Sequence, residues 1–243
     1  MVIMKTVILA GGKGLRYNNS DIPKPLAMIG DRPIIQHVMD IYSNQGFNDF
    51  ILALGYKKNT IIDYFNIIEH DYNIEFVDTG EESNTAHRIK LIEEYISKDD
   101  EHFFCTYSDG LSNVNLNKLQ NFHQRNKYIA TLTAVRPQNI YGILNIGFNG
   151  RVTKFNEKPM MNDYINGGFF VFNRDIFNHI SLNNRDLEID ILPSLCYEGM
   201  LGAHKHEGYW NTVNTIKDQM ILNDIYNDYK KNNKELPWEV RTH

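Results

Sequence analysis

The run Leu9-Ala10-Gly11-Gly12-Lys13-Gly14-Leu15-Arg16 carries the first chemistry in the chain. It continues the apolar Thr6-Val7-Ile8, which reads as a buried strand. Glycines lack Cβ, so their backbone N–H groups can approach and wrap an anion such as a phosphate chain. The spacing is neither that of a Walker loop nor that of a dinucleotide fingerprint. Taken alone, the run is equally a plain turn. Two cations shift the balance. Arg16 closes the glycine run, and Lys24 stands between Pro23 and Pro25, whose rings stiffen the backbone around it. An arginine and a lysine flanking a glycine loop suit a triphosphate, whose charge must be neutralised as it is cleaved. Singly, each is equally a solvated surface charge.

The surrounding pattern says what must position these groups. Short β-branched runs at 6–10, 50–54, 75–78, 103–107 and 129–135 alternate with amphipathic runs at 34–45, 59–65, 84–96 and 116–126. Asn84 stands where it can cap the third of these helices. This order predicts an α/β fold with a mostly parallel sheet flanked by helices. After Arg136 the pattern changes. Residues 143–146 and 152–155, joined through Asn149-Gly150, read as a β-hairpin. A further strand is expected at 168–172 and helices at 190–197 and 216–229. The chain reads as one domain, 1–243, whose second half (136–243) elaborates the carboxyl edge of the sheet built by 1–135. Open α/β sheets bind ligands at that edge.

Composition narrows the classes. A chain of 243 residues with 42% hydrophobic and 23% charged content can bury a full core without staples. Its net charge of −5 argues against nucleic acid as a partner. The apolar start is too short to span a bilayer and runs straight into the glycine loop, so it reads as a first strand rather than a signal peptide, and no membrane is expected. Cys105 and Cys196 lie far apart without metal-ligand spacing, which suits a reducing, cytoplasmic setting. His204-Lys205-His206 has metal-like spacing, but alternate positions on a strand read first as one solvated face.

Leu-Ala-Gly-Gly-x-Gly-x-Arg followed by Pro-Lys-Pro resembles the signature of sugar-phosphate nucleotidyltransferases. The resemblance continues in order through Gly55-Tyr56-Lys57, Val77-Asp78-Thr79-Gly80, Tyr107-Ser108-Asp109-Gly110, Phe155-Asn156-Glu157-Lys158-Pro159, Ile165-Asn166-Gly167-Gly168-Phe169-Phe170-Val171 and Tyr209-Trp210. The Val-Asp-Thr-Gly and Ile-Asn-Gly-Gly segments are most similar to the glucose-1-phosphate cytidylyltransferase branch. The family implies a Rossmann-like fold, Mg²⁺ as cofactor and in-line transfer of a nucleotidyl group from CTP to a phosphorylated acceptor. UTP or dTTP in place of CTP, and a nucleotide-binding regulatory homologue, are the alternatives. A homo-oligomer stays open.

Carried over by position, Leu9, Ala10, Gly11, Gly12, Gly14 and Ser108 would surround the nucleotide, with Arg16 and Lys24 neutralising its triphosphate. Thr79, Gly80, Thr85 and Arg88 would lie near the base and ribose. Asp109 would hold Mg²⁺, helped by Asn214 at a position where the family usually has Asp. Tyr141, Gly142, Glu157, Lys158, Asn166 and Gly167 would form the acceptor side, with the hairpin as its frame. The nucleophile in such a reaction is an acceptor phosphate oxygen, already anionic at neutral pH. Catalysis then reduces to alignment and charge neutralisation, without a general base. The chain departs from the family at Leu15, at Ala86-His87 and at Asn214; it is shortened between Arg16 and Pro23 and lacks an insertion between Phe65 and Phe76. These departures leave the acceptor open between a sugar 1-phosphate and a related non-sugar phosphorylated metabolite.

Overall fold

The computed structural model describes residues 4–17 and 22–239. Residues 1–3 of the apolar start, and much of the shortened stretch after Arg16, lie outside the described residues. Strand β1 (Thr6–Ala10) is fully buried and central. A short antiparallel pair, β2 (Met28–Ile29) and β3 (Arg32–Pro33), leads into α1 (Ile34–Ser43). Then follow β4 (Asp49–Leu54), α2 (Lys58–Ile67), β5 (Asn73–Asp78), α3 (Thr85–Leu91), β6 (His102–Tyr107), β7 (Gly110–Ser112), α4 (Leu116–Asn126) and β8 (Ala130–Val135). The second half adds the hairpin β9 (Ile143–Ile146) and β10 (Val152–Asn156), then β11 (Ile165–Asn166), β12 (Phe170–Asn173) and α5 (Ile176–His179). It ends with α6 (Leu192–Tyr197), β13 (Leu201–Lys205), β14 (Trp210–Thr212) and α7 (Ile216–Lys231).

The main sheet runs β5-β4-β1-β6-β12-β8-β13, with β11 extending the β12 side of β8. β1 pairs in parallel with both β4 and β6, and β5 in parallel with β4. The second half therefore completes the same sheet. β12 enters antiparallel between β6 and β8, and β13 closes the far edge parallel to β8.

Strand alternation splits the core into two layers. Ile8, Leu52, Leu54 and Phe104 face one side, against Ile35, Val38 and Met39 of α1 and Leu222 of α7. Val7, Leu9, Ile51, Ala53, Phe103 and Cys105 face the other, against Ala86 and Ile89 of α3 and Leu192 and Leu195 of α6. Cys105 is a core residue, as its apolar setting implies. Two expected helices have other bounds than their periodicity suggests. The helix expected over 84–96 ends at Leu91 and continues as a 3₁₀ turn at Glu93–Tyr95. Asn84 holds the cap position but its side chain makes no capping bond. The helix expected from 190 begins earlier, as a π-turn at Leu187–Ile191. His204 and His206 are only partly exposed: His204 packs edge-on against Phe122, and His206 Nε2 lies 3.2 Å from Ser112 Oγ and 3.1 Å from the Tyr209 carbonyl. The pair is thus part of the packing rather than a solvated face.

His37 on α1 is buried between elements far apart in sequence. Its Nε2 donates to the Ile29 carbonyl at 2.8 Å, and Nδ1 accepts from Trp238 Nε1 at 3.3 Å. That arrangement requires the neutral ring, and burial lowers its pKa to about 4. A base that is harder to protonate when folded costs nothing above its unfolded pKa. Stability is then lost as pH falls from about 6.5 to about 4, by roughly 1.4 kcal/mol per pH unit. Urea unfolding followed across this window should show a shallower pH slope for His37→Gln than for the unaltered protein.

Candidate active site

The loops leaving the carboxyl ends of β1 and β5 meet Lys24 and Asn214 around one cleft of about 480 Å³, lined by Gly12, Gly14, Arg16, Lys24, Asn84, Asn214 and neighbours. Ligand clefts typically occupy about 300–1,000 Å³. The glycines of the first loop serve different purposes. At Gly11 a Cβ would lie 2.1 Å from Arg88 Nη1, so this glycine makes room for an arginine. Gly14 takes φ +58°, a conformation that favours glycine. At Gly12 a Cβ would meet nothing within 4 Å, so that position opens to the cleft. Leu9 and Ala10 are buried in the sheet below.

Arg88 on α3 is buried, and every one of its hydrogen bonds ends on a neutral oxygen. Nη2 donates to the carbonyls of Gly11 (2.8 Å) and Glu81 (3.3 Å). Nη1 donates to Thr79 Oγ1 (2.6 Å) and to the carbonyls of Gly80 (2.7 Å) and Leu54 (3.3 Å). The side chain thereby ties together the loops leaving β1, β4 and β5. Burial lowers its pKa from the ordinary arginine value. Thr79 is likewise committed, its hydroxyl donating to the Leu54 carbonyl at 2.7 Å. Gly80 turns with φ +80°, its N–H capped by Asp78 Oδ1 at 3.0 Å. Asp78 pairs with Lys58, which lowers its pKa.

The charged centre lies where β6 ends. Lys24, on a 3₁₀ turn (Lys24–Leu26) after Pro23, forms an ion pair with Asp109. Asp109 is held from both sides of its strand exit: Ser108 before it is buried, and its own carbonyl accepts the Val213 N–H at 3.0 Å. The β7–β14 pairing explains that contact and brings Asn214 alongside, although the two residues are far apart in sequence. Arg16 Nη2 donates to Asn214 Oδ1 at 3.1 Å. Lys13 reaches across the cleft mouth to Glu82. Among the described residues no group of three or more His, Cys, Asp or Glu side chains is placed to hold a metal.

The acceptor-side residues lie outside this cleft. Gly142 packs close to Glu157 and Phe155, where a Cβ would meet both at 2.9 Å. Tyr141, Glu157 and Lys158 are exposed at the base of the hairpin, Lys158 with φ +45°. Asn166 and Gly167 sit deeper. Asn166 Nδ2 donates to Tyr107 Oη at 3.2 Å, and Oδ1 accepts from Gly168 N at 2.9 Å. Gly167 leaves no space for a side chain beside Val135, and its carbonyl accepts from Trp210 Nε1 at 2.8 Å. Thr85 donates to Glu188 at 2.9 Å and accepts from Leu187 N at 2.8 Å. Glu188, whose pKa is raised by burial, was not singled out by motif or periodicity. The one signal for it was a carboxylate inside the apolar run 187–192.

Two outcomes follow from this geometry. Lys24→Ala should lower turnover by roughly two to three orders of magnitude, as loss of one preorganised charge does, with the melting temperature little changed. Arg88→Lys cannot satisfy the oxygens the guanidinium serves. It should cost about 1–3 kcal/mol of stability and raise nucleotide KM together with it, read by thermal melting and steady-state kinetics.

Comparison with known proteins identifies the family. The family model described as Nucleotidyl transferase matches residues 5–228. A probable glucose-1-phosphate cytidylyltransferase of Bacillus subtilis is 38% identical, over 92% of this chain and 96% of that protein. The glucose-1-phosphate cytidylyltransferase of Salmonella typhimurium is 36% identical, over 98% of this chain and 99% of its own. A mannose-1-phosphate guanyltransferase of Aspergillus oryzae is 32% identical over 92% of this chain and 64% of its own length. Among solved structures, HddC from Yersinia pseudotuberculosis superposes with a TM-score of 0.73 at 24% identity, over 92% of this chain and 99% of its own, which speaks for the fold. With a glycine loop, two flanking cations and a strand-end aspartate gathered at one sheet edge, and matches along nearly the whole chain, the protein belongs to the nucleotidyl transferase family.

Proposed function

We propose that the protein is a cytidylyltransferase that joins CTP to a hexose 1-phosphate and releases pyrophosphate. The observation that carries this reading is the charged centre itself: Lys24 and Arg16 beside one carboxylate, Asp109, below a glycine loop. Such a site has cations for a triphosphate and no buried base or nucleophile, which matches a reaction whose nucleophile is a phosphate oxygen. Gly12 and Gly14 offer backbone N–H groups to the triphosphate. Lys24 and Arg16 balance the charge that gathers on the departing pyrophosphate. Lys24 pairs with Asp109 and Arg16 with Asn214, and each would exchange that partner for a phosphate oxygen. Asn166, Gly167, Glu157 and Lys158 orient the acceptor from the opposite side.

A divalent cation fits this chain as well. Mg²⁺ is commonly held by one or two carboxylates together with substrate phosphates rather than by a protein cage. Asp109 supplies one carboxylate, and Asn214 an amide oxygen without charge. When bound, Mg²⁺ would draw charge from the triphosphate oxygens.

The acceptor has broader support than the base. The relatives named above carry hexose 1-phosphates in their names, whereas their bases divide between cytosine and guanine. We therefore place a hexose 1-phosphate, glucose 1-phosphate first, ahead of the non-sugar acceptors. CTP is favoured because the relatives named for it share the higher identity and match along nearly their whole length.

Pyrophosphate release, measured with each of CTP, UTP, dTTP, GTP and ATP against a panel of phosphorylated acceptors, tests both halves. CTP with glucose 1-phosphate should exceed other pairs in kcat/KM by roughly a hundredfold, about 2.7 kcal/mol of transition-state preference. Equal efficiency with UTP would overturn the base assignment. A non-sugar acceptor ahead of every hexose 1-phosphate would overturn the acceptor.

A further inference from the structure

We propose that Glu188 is a positioning residue for acceptor recognition: it sets the direction of the hydrogen bonds that orient Asn166. This rests on the acceptor-side role given to Asn166 above. One chain of hydrogen bonds crosses the carboxyl edge of the sheet. Thr85 Oγ1 donates to Glu188 Oε2 at 2.9 Å, and the Tyr107 hydroxyl donates to Glu188 Oε1. Asn166 Nδ2 donates to Tyr107 Oη at 3.2 Å, and Gly168 N donates to Asn166 Oδ1 at 2.9 Å. The chain links the start of α3, on the nucleotide side, to the loop between β11 and β12, on the acceptor side.

A carboxylate can only accept, whereas a hydroxyl and an amide can do either. Glu188, which can only accept, and the Gly168 N–H, which can only donate, therefore fix the sense of the chain from its two ends, with Glu188 committing the Tyr107 hydrogen. Tyr107 must spend its one hydrogen on Glu188, so its oxygen is free only to accept. Asn166 must then turn its NH₂ toward Tyr107 and its Oδ1 toward Gly168. The second N–H of Asn166 and the remaining lone pair of Oδ1 are left in a defined order for the acceptor's hydroxyl groups.

The local fold holds the glutamate still for this task. Glu188 lies in the π-turn Leu187–Ile191, a rare geometry that often marks functional positions. Asp186 Oδ1 accepts from Glu188 N at 3.0 Å and from Ile189 N at 3.1 Å, which pins the turn. Tyr107 is wedged against Gly168, where a Cβ would come within 2.9 Å of its ring, and edge-on against Phe170.

Glutamine keeps the shape of the glutamate but not its acceptor-only character. If its NH₂ faces Tyr107, the hydroxyl loses its acceptor at position 188, and its hydrogen then opposes the Asn166 NH₂ that the Gly168 N–H keeps turned toward it. If it faces Thr85, the threonine oxygen already accepting from Leu187 N must give up its donation. Either way one bond in the chain is reversed or lost.

The test compares Glu188→Gln, Tyr107→Phe, their double variant and Asn166→Ala with the unaltered enzyme, measuring KM for each substrate, kcat and melting temperature. Glu188→Gln should raise acceptor KM about fivefold or more, with nucleotide KM within about twofold. Tyr107→Phe breaks the same chain at its next member, so it should reproduce the effect, and the double variant should be no worse than either single one. It also carries the test if Glu188→Gln proves unstable. An unchanged acceptor KM in both single variants while Asn166→Ala raises it would overturn the inference alone. Equal rises in both KM values, or additive effects in the double variant, would reduce Glu188 to a structural group and also overturn it. An unchanged acceptor KM in Asn166→Ala would overturn the acceptor-site reading itself.

Discussion

A buried guanidinium holds the nucleotide side of this protein together. Arg88 is 3% exposed and bonds only to neutral oxygens, on the three loops that leave β1, β4 and β5. Removing a charge from water is costly unless its hydrogen bonds are remade. Here carbonyl dipoles remake them, and the constraint runs both ways. The arginine needs those loops where they are, and the loops lose their common anchor without it. Gly11 and Gly55 reflect the same requirement, since a side chain at either would intrude on the guanidinium.

The charged centre is arranged with less rigidity. Lys24 faces Asp109 and Arg16 faces Asn214, so each cation has a partner that a phosphate could replace. Such pairing keeps the cations partly satisfied without enclosing them. The β7–β14 pairing is what makes the site compact, because it lays Val213 against Asp109 and so carries Asn214 to the strand exit.

The acceptor side divides into a firm part and an open part. Asn166, Gly167 and Gly168 are woven into β8 and the Trp210 side chain, with the Thr133 N–H donating to the Gly168 carbonyl at 3.0 Å. The hairpin flanked by Tyr141, Gly142, Glu157 and Lys158 is exposed along both strands and forms its own two-stranded sheet, its base closed by Asn139 N donating to the Pro159 carbonyl at 2.8 Å. Selectivity for the acceptor is accordingly expected to lie in the firm part, and adaptability in the hairpin.

Local chemistry determined much of this from the sequence by itself. The alternation of β-branched and amphipathic runs is a one-dimensional record of which faces are buried, so the helices and parallel strands of the first half were legible in it, as was the hairpin marked by Asn149-Gly150. The glycine loop, Arg16 and Lys24 stood out as candidates because their types and order would answer the charge of a triphosphate, and Asp109 because of the family resemblance. Only the tertiary structure decided the rest. Gly11 makes room for Arg88, and the hydroxyls of Thr79 and Thr85 are bonded to the Leu54 carbonyl and to Glu188. The short strands β7, β11 and β14 and the π-turn under Glu188 were not legible at all. They depend on pairing between residues distant along the chain, and a two- or three-residue strand has too little periodicity to declare itself. A sequence states what a side chain can bond to; which of those partners it meets is settled when the sheet brings distant strand ends to one edge.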